Sequence, residues 1–309
     1  ASWLPDPPRD KPVGEAWLVS DHPECESILL PPSGPGLDPF SLRTWMEQAE
    51  SWLLGIRAKP TPAGRFPLLL KLIHATAYLS VQVHPDDKVA KDLGEPDVGK
   101  TEMWTFLETA PESAVIAGIR SDAPREEVIS RILHSDRRIE ACLQVHRPKP
   151  WEGLLIPAGT LHAIGPGLLL AEIQQNSNIT YRVYDWDRVD ENGLARALHP
   201  EKSVASLIWD LPSPCLTAGE KIQQLGHGEI ILLASCDYFC AERVVQATET
   251  DFSTNGDSFH LLLNPEAPIT VMSGGYSLTV KAGQAVIIAA GSQRYRVMGA
   301  TSFLRYYVP

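Results

Sequence analysis

The segment Leu79-Ser80-Val81-Gln82-Val83-His84-Pro85-Asp86-Asp87 decides the interpretation of this chain, because polar and apolar residues alternate along it. In a β-strand, successive side chains point to opposite faces, so Ser80, Gln82 and His84 share one face while the two valines pack on the other. Pro85 has no N–H to donate and ends the strand. The pattern predicts an amide oxygen beside an imidazole, although an edge strand with a solvent-facing polar side would alternate in the same way.

Two further segments supply potential metal ligands. A second alternating strand places Glu102 on one face with Lys100 and Trp104. Within Gly153–Ile164, a strand and a Pro-x-Gly turn lead into another strand that opens with His162. Each of these residues taken alone could be a hydrogen-bonded strand residue or a surface charge. The three segments together favour a site.

The donor set consists of Gln82, His84, Glu102 and His162, which offer two imidazole nitrogens and two oxygens. Such a set suits Zn²⁺ and, because it lacks a thiolate, is open to Mn²⁺, Fe²⁺ or Co²⁺. A divalent ion with open coordination positions can polarise a carbonyl or hydroxyl oxygen. We therefore expect one metal ion per chain, bound next to a small polar substrate.

The composition of the chain excludes several classes of protein and of binding partner. The 309 residues include 27 basic and 38 acidic ones, for a formal charge of −11, which argues against nucleic acid or an anionic membrane as a partner. The 26 prolines and 22 glycines are spread along the chain and favour many short strands. Five cysteines without a C-x-x-C pair indicate neither a disulfide framework nor a thiolate zinc site. No apolar run is long enough to span a membrane and no signal-peptide pattern opens the chain, so we expect a cytoplasmic protein.

The pattern along the chain predicts two β domains. Residues 1–200 are interpreted as a metal-binding domain with a helical insertion at about 123–146, broken near Ser135. Residues 201–216 are proline-rich and are predicted to be a linker, and 217–309 are strand-rich. A weak repeat aligns Leu155–His162 with Ile287–Arg294, so the histidine of the first copy is an arginine in the second. We expect the C-terminal domain to be metal-free.

Four ordered motifs make the chain recognisable. Ser80–Asp87, Gly99–Trp104, Ile156–Ile164 and Glu172–Arg188 together closely resemble the type I mannose-6-phosphate isomerases, in particular their short bacterial branch. The resemblance implies a mainly β fold with two cupin-type (jelly-roll) barrels. It also implies zinc bound by the four donors and interconversion of mannose 6-phosphate and fructose 6-phosphate. The family usually opens with Trp-Gly-Gly, whereas this chain has Trp3 followed by Leu-Pro.

The resemblance also suggests which residues meet the sugar phosphate. By position, Lys71, Ser80, Lys100, Glu172 and Arg182 match pocket residues of the family, with Arg182, Lys100 and Glu172 as the catalytic candidates. Moving a carbonyl from C1 to C2 needs a base for a carbon-bound proton and positive charge near the enediolate. The base stays open among Glu172, His84, Lys100 and a metal-bound hydroxide.

Two alternatives and the state of assembly also stay open. One alternative is a sugar-phosphate-binding cupin without turnover, and the other is an isomerase of a different aldose or aldose phosphate. The first predicts ligand binding without exchange of the C2 proton, which separates it from an enzyme. We expect a monomer or a homodimer, with a small sugar phosphate as the partner.

Overall fold

A computed structural model of the chain describes residues 13–30, 38–189 and 192–309, so Trp3 lies outside the described residues. The chain forms two compact units, one combining Ala1–Leu72 with Ala218–Pro309 and the other consisting of Ile73–Thr217. The sequence had placed all of residues 1–200 in one domain. The observed grouping instead joins the first 72 residues to the C-terminal strands.

The N-terminal part of the first unit contains short strands and one long helix. Its elements are β1 (Glu15–Val19), β2 (Asp21–His22), β3 (Cys25–Glu26), β4 (Ile28–Leu29), β5 (Phe40–Ser41), α1 (Leu42–Leu54) and β6 (Leu68–Ala75), which continues into the second unit. Ser41 caps α1, because its Oγ accepts a hydrogen bond of 3.1 Å from the Thr44 N–H. The helix ends at Gly55, whose φ is 82°, and a Cβ there would lie 2.6 Å from the carbonyl oxygens of Gly256 and Asp257. This close approach within the first unit is one reason why the N-terminal residues group with the C-terminal ones.

The second unit is built from two antiparallel groups of strands and three short helices. Its elements are β7 (Val81–Val83), α2 (Asp87–Asp92), β8 (Glu102–Thr109), β9 (Val115–Ile119), α3 (Arg125–Leu133), β10 (Leu143–His146), β11 (Gly153–Ile156), β12 (His162–Ile164), β13 (Leu168–Gln175), β14 (Tyr181–Tyr184) and α4 (Pro200–Ser206). One group has the order β13-β8-β11 and the other the order β10-β9-β12-β7-β14. The segments predicted to carry ligands therefore lie on both groups, with Glu102 on β8 and His162 on β12.

The core of the second unit lies between these two groups of strands. Trp104, Phe106 and Leu170 from one group pack in the same buried cluster as Val115 and Ile164 from the other. A second buried cluster lies on the outer side of β7 and β14, under the helices. Because Val81 and Val83 belong to this outer cluster, the alternation predicted for the strand around Gln82 is confirmed.

Most of the segment predicted as a helical insertion forms helices in the structure. Helix α3 ends next to Ser135, whose φ of 51° makes the predicted break, and a short 3₁₀ segment follows over Arg137–Cys142. Residues 143–146 are not helical, because Leu143–His146 pairs with β9 as a strand. The predicted linker, residues 201–216, also differs from expectation, because it contains most of α4 and packs against the outer cluster through Val204 and Trp209.

The C-terminal part of the first unit is a sandwich of two antiparallel sheets. Its strands are β15 (Glu220–Leu225), β16 (Gly228–Ser235), β17 (Cys240–Gln246), β18 (Glu249–Ser253), β19 (His260–Asn264), β20 (Ile269–Ser273), β21 (Tyr276–Val280), β22 (Gln284–Ile288), β23 (Arg294–Met298) and β24 (Thr301–Tyr307). The sheets have the orders β15-β16-β17-β24-β19-β22 and β18-β23-β20-β21. Phe303 and Leu262 of the first sheet pack against Tyr295 and Val297 of the second.

The prediction of a mainly β protein is confirmed by these elements. Paired antiparallel sheets around a buried core are the architecture of jelly rolls and cupins, with which both units are consistent. Within the described ranges, no helix has both the length and the apolar character needed to cross a bilayer.

Candidate metal centre

Three of the four predicted ligands meet inside the second unit. His84 follows β7, Glu102 opens β8 and His162 opens β12, and their potential ligand atoms all lie within 4.8 Å of one another. All three side chains are buried. Nε2 of His84 lies 3.4 Å from Oε2 of Glu102, and Nε2 of His162 lies 3.4 Å from the other carboxylate oxygen.

Backbone carbonyl groups orient both imidazole rings. Nδ1 of His84 lies 2.7 Å from the Ile179 carbonyl oxygen, and Nδ1 of His162 lies 2.9 Å from that of Thr160. A carbonyl can only accept, so each Nδ1 carries the proton and each Nε2 keeps a lone pair. This tautomer is the one in which Nε2 binds a metal ion.

The electrostatics of the three groups agree with this tautomer. Burial lowers the pKa of His84 to about 3, with a further contribution from Lys100, and burial also lowers the pKa of His162. Burial alone would raise the pKa of Glu102, but Lys100 and the two histidines outweigh it and hold this pKa well below its usual value. At neutral pH the group is two neutral imidazoles around one carboxylate, which is the protonation state that metal binding requires.

Glu102 gives a direct indication that a cation fits here. Its Oε2 is buried and has no hydrogen-bond partner among the residues that the structure describes, although the Lys100 ammonium lies 2.8 Å away as an ion pair. Lys100 Nζ also lies 3.2 Å from Nε2 of His84. A buried carboxylate flanked by two imidazole Nε2 atoms that carry lone pairs suits a borderline divalent metal ion.

Gln82, the fourth predicted ligand, lies beside His162. The two residues are paired across β7 and β12, and Nε2 of Gln82 lies 3.2 Å from Nε2 of His162. The other end of the amide, Oε1, accepts a hydrogen bond of 3.2 Å from Ser80 Oγ. As a ligand, Gln82 would present Oε1 in place of Nε2, which needs a rotation of the terminal amide.

Arg182 occupies the same row of side chains. It pairs with Gln82 across β14 and β7, so Arg182, Gln82 and His162 follow one another on one face of three adjacent strands. Tyr181 and Val183 lie in the outer cluster on the opposite face, because successive side chains of a strand point to opposite faces. Arg182 therefore points toward the same side of the sheet as the metal ligands.

Trp104 was not among the predicted site residues, yet it connects two of them. Its Nε1–H donates to Oε1 of Glu102 at 3.1 Å and to Oε2 of Glu172 at 3.0 Å, and the ring is fully buried. Glu172 pairs with Trp104 across β13 and β8. The alternation in the sequence, which places Trp104 on one face with Lys100 and Glu102, could have predicted the contact between Trp104 and Glu102.

Lys71 belongs to the other unit. Its ammonium lies 3.4 Å from Oε1 of Glu15 and 4.5 Å from the centre of the Trp17 ring. The side chain is buried, as is unusual for lysine. Its predicted contact with a substrate stays a prediction.

Comparison with known proteins places these features in a family context. A family model described as the phosphomannose isomerase type I catalytic domain matches residues 2–103. The probable mannose-6-phosphate isomerase GmuF of Bacillus subtilis is 38% identical over 230 residues, which are 74% of this chain and 68% of the relative. The mannose-6-phosphate isomerase ManA of the same organism is 30% identical over 288 residues, 93% of this chain and 87% of the relative. A crystal structure of the mannose 6-phosphate isomerase from Bacillus subtilis superimposes with a TM-score of 0.82 at 28% identity, covering 95% of this chain and 89% of that one.

Proposed function

This chain belongs to the type I mannose-6-phosphate isomerases, and from that premise we propose that it interconverts mannose 6-phosphate and fructose 6-phosphate through an enediolate. The observation that carries the proposal is the buried group of Glu102, two neutral imidazoles and Lys100 in the second unit. Such a group holds a metal ion and a fixed cation in one place. An aldose-ketose isomerase needs both, because negative charge develops on the sugar oxygens.

His84, Glu102 and His162, with Gln82 as the fourth ligand, would hold one Zn²⁺ per chain. The nitrogen and oxygen donors and the absence of a thiolate support this choice, which leaves Mn²⁺, Fe²⁺ and Co²⁺ as competitors. When bound, the ion supplies Lewis-acid polarisation of the sugar oxygens. Ser80 would hold the Gln82 amide in position.

Lys100 and Arg182 would place fixed positive charge beside the reacting carbons. The Lys100 ammonium already lies against Glu102, so it would contact the end of the substrate that lies near the metal ligands. Arg182, on the row of Gln82 and His162, would act from the neighbouring strand. Lys71 is kept as a proposed substrate contact on the grounds of its burial alone.

Glu172 is the group that we propose as the base for the carbon-bound proton. Nε2 of His84 faces Glu102 as a ligand, and Lys100 is held as a cation by its ion pair, so neither is free to take a proton. The Glu172 carboxylate is buried and is linked through Trp104 to the ligand Glu102. A carboxylate next to the metal ligands is a suitable proton acceptor.

Proton exchange tests this function directly. In D₂O, the wild-type protein loaded with Zn²⁺ should convert mannose 6-phosphate to fructose 6-phosphate and lose the C2 proton signal in NMR. Glu172→Gln, which keeps the size of the side chain, should keep the metal and lose exchange. Binding of mannose 6-phosphate without any exchange would instead identify a non-catalytic sugar-phosphate-binding protein. Faster exchange with another aldose or aldose phosphate would show that this other sugar is the substrate.

We also propose that both units are cupin-type barrels and that only the second binds a metal ion. In the first unit, the β23 strand begins with the exposed Arg294 where β12 begins with the buried His162. We further propose a monomer or a homodimer, which size-exclusion chromatography with light scattering would distinguish.

A further inference from the structure

Two adjacent glutamines at the end of β13 use their amides differently. Gln174 and Gln175 are both buried, and alternation along the strand sends their side chains to opposite faces. Gln175 uses both ends of its amide within the protein. Its Oε1 accepts from the Thr101 N–H at 2.9 Å, and its Nε2 donates to Oδ1 of Asp87 at 2.9 Å. These bonds hold the segment that leads into β8.

The nitrogen end of the Gln174 amide is also engaged by the protein. Nε2 donates to the Gln175 carbonyl oxygen at 2.9 Å and to the Ser177 carbonyl oxygen at 2.6 Å, so both of its hydrogens are used. A flipped amide would place Oε1 against these two carbonyl oxygens, which can only accept. The backbone therefore fixes the orientation of the amide, with Oε1 directed away from the two carbonyl groups.

The oxygen end of the Gln174 amide is a buried acceptor. The side chain is fully buried, and within residues 13–30, 38–189 and 192–309 no group donates to Oε1. A buried polar atom without a partner is destabilising, and native proteins contain few of them. A ligand that donates to Oε1 would offset this cost.

The pairing of the strands places Gln174 beside the metal ligands. Gln174 pairs with Glu102 across β13 and β8, and Glu172 pairs with Trp104 in the same ladder. Directly paired residues of antiparallel strands have their side chains on one face, with Cβ atoms roughly 5 Å apart. The Trp104 ring packs in the core between the two groups of strands. Gln174 therefore lies on this inner face, next to Glu102 and two positions from the proposed base Glu172.

The chemistry of the substrate indicates which group could reach Oε1. An amide oxygen only accepts, so it needs a donor, and the carbonyl and phosphate oxygens of an aldose phosphate are acceptors. The hydroxyl groups of the sugar are donors. Those on C3, C4 and C5 take no part in moving the carbonyl between C1 and C2, and they remain available to the protein throughout the reaction.

We propose that Oε1 of Gln174 accepts a hydrogen bond from one of the sugar hydroxyl groups on C3, C4 or C5, an inference that rests on the proposed isomerase function. Gln174 is then a specificity residue beside the reacting carbons. Because its amide is fixed by two backbone carbonyl groups, it selects a sugar that carries a hydroxyl group at one place.

Deoxy analogues of the substrate test this contact. The wild-type protein should use one of the 3-deoxy, 4-deoxy and 5-deoxy analogues of mannose 6-phosphate with a kcat/KM about 10- to 100-fold below that for mannose 6-phosphate, because Oε1 then stays buried without a donor. Gln174→Met keeps the length of the side chain and removes the acceptor. It should lower kcat/KM for mannose 6-phosphate by a similar factor and use that analogue within about 3-fold of mannose 6-phosphate.

The neighbouring glutamine provides the matched control. Gln175→Met makes the same substitution on the opposite face and removes the hydrogen bonds to Thr101 and Asp87. It should lower stability and leave the ratios of kcat/KM among the four sugars as in the wild type. Each ratio is measured on one protein, so a loss of folded protein cancels. Elemental analysis should give Gln174→Met the metal content of the wild type.

Three results would overturn the proposal. They are equal use of all four sugars by the wild-type protein, wild-type ratios in Gln174→Met, and loss of the metal from that variant, which would make Gln174 a metal ligand. If Gln174→Met does not fold, Gln174→Asn gives the same comparison, because it keeps an amide and withdraws it by one methylene. In a protein without turnover, calorimetry with the four sugars replaces kinetics. Binding that depends on Gln174 and on one hydroxyl group would then refute the proposed function and leave this contact in place.

Discussion

Trp104 shows how much a single N–H can matter in a buried site. Glu102 and Glu172 are both buried carboxylates, and the indole N–H lies between them, 3.1 Å from one and 3.0 Å from the other. Two carboxylates without a shared donor would repel each other and lose solvation. Trp104 therefore positions Glu172 relative to the metal ligand Glu102.

Trp104→Phe should remove this donor while keeping an aromatic ring in the core. We expect the unfolding free energy to fall by about 2 kcal/mol, because a hydrogen bond to a buried charged group is lost, and we expect kcat to fall with little change in KM. Urea unfolding and steady-state kinetics measure the two effects. Phe106→Leu is the control, because Phe106 is buried in the same cluster and on the same strand. If Trp104→Phe retained the kcat of this control, Trp104 would be only a packing residue.

At the scale of the elements, two chain segments next to the site lie backbone against backbone. The Lys100 N–H donates to the Pro85 carbonyl oxygen at 3.0 Å, and the Gly99 N–H donates to Oδ1 of Asp87 at 2.8 Å. A Cβ on Gly99 would lie 2.5 Å from backbone atoms of Asp86 and Asp87. The segment after β7 thus fixes where β8 begins, and with it the ion pair of Lys100.

Gly99→Ala should push these two segments apart. We expect a destabilisation of about 1–3 kcal/mol, as for other overpacked sites, and a lower kcat/KM because Lys100 moves relative to Glu102. Melting temperature and initial rates check the two effects. Gly226→Ala is a matched control, since a Cβ at Gly226 would meet no atom within 4 Å. Equal behaviour of the two variants would show that the backbone contact at Gly99 does not place Lys100.

The C-terminal sandwich carries a buried histidine on β19. Burial lowers the pKa of His260 to about 3, with a further contribution from Arg305, and its Nδ1 lies 2.7 Å from the Tyr295 hydroxyl. The ordinary histidine pKa is 6.5. Below pH 6.5 the unfolded chain therefore takes up a proton that the folded chain accepts only near pH 3. Stability must fall as the pH drops through 6.5 and continue to fall toward 3.

His260→Gln should remove this pH dependence while keeping a hydrogen bond to Tyr295. Between pH 7 and pH 5, the wild-type unfolding free energy should fall by about 2 kcal/mol more than that of the variant. Urea unfolding at both pH values gives the difference, and the other titrating groups cancel because both proteins contain them. Parallel pH profiles would mean that His260 titrates alike in the folded and unfolded states.

At the scale of the whole molecule, the two units have different polar interiors. The second unit gathers His84, Glu102 and His162. In the first unit, Arg305 Nε donates to Oε2 of Glu242 at 2.7 Å, so two buried side chains of the sandwich neutralise each other. Neither side chain of this pair belongs to a group of three potential metal ligands among the residues that the structure describes.

We therefore expect about one metal ion per chain in protein purified without a chelator. His162→Ala should lose most of this metal, whereas His260→Gln should keep all of it. Elemental analysis by mass spectrometry measures the content. Full metal content in both His84→Ala and His162→Ala would refute the proposed site. A metal content that depends on His260 would show that the metal ion binds in the other unit.

Much of the site could be predicted from the sequence, because strand alternation and ligand chemistry are local properties. Side chains of a strand repeat every two residues, and this period predicted that Gln82 and His84 share one face and that Lys100, Glu102 and Trp104 share another. The types of residue at these positions predicted a metal ion bound without thiolate ligands. The helical period of α3 and its break at Ser135 were readable for the same reason.

What only the tertiary structure decided depends on residues far apart in the chain. The tautomer of His84 is set by the Ile179 carbonyl, 95 positions away, and the link between Glu102 and Glu172 passes through Trp104, 68 positions from Glu172. Residues 1–72 group with 218–309, and Leu143–His146 is a strand, because distant partners outweigh local preference in both cases.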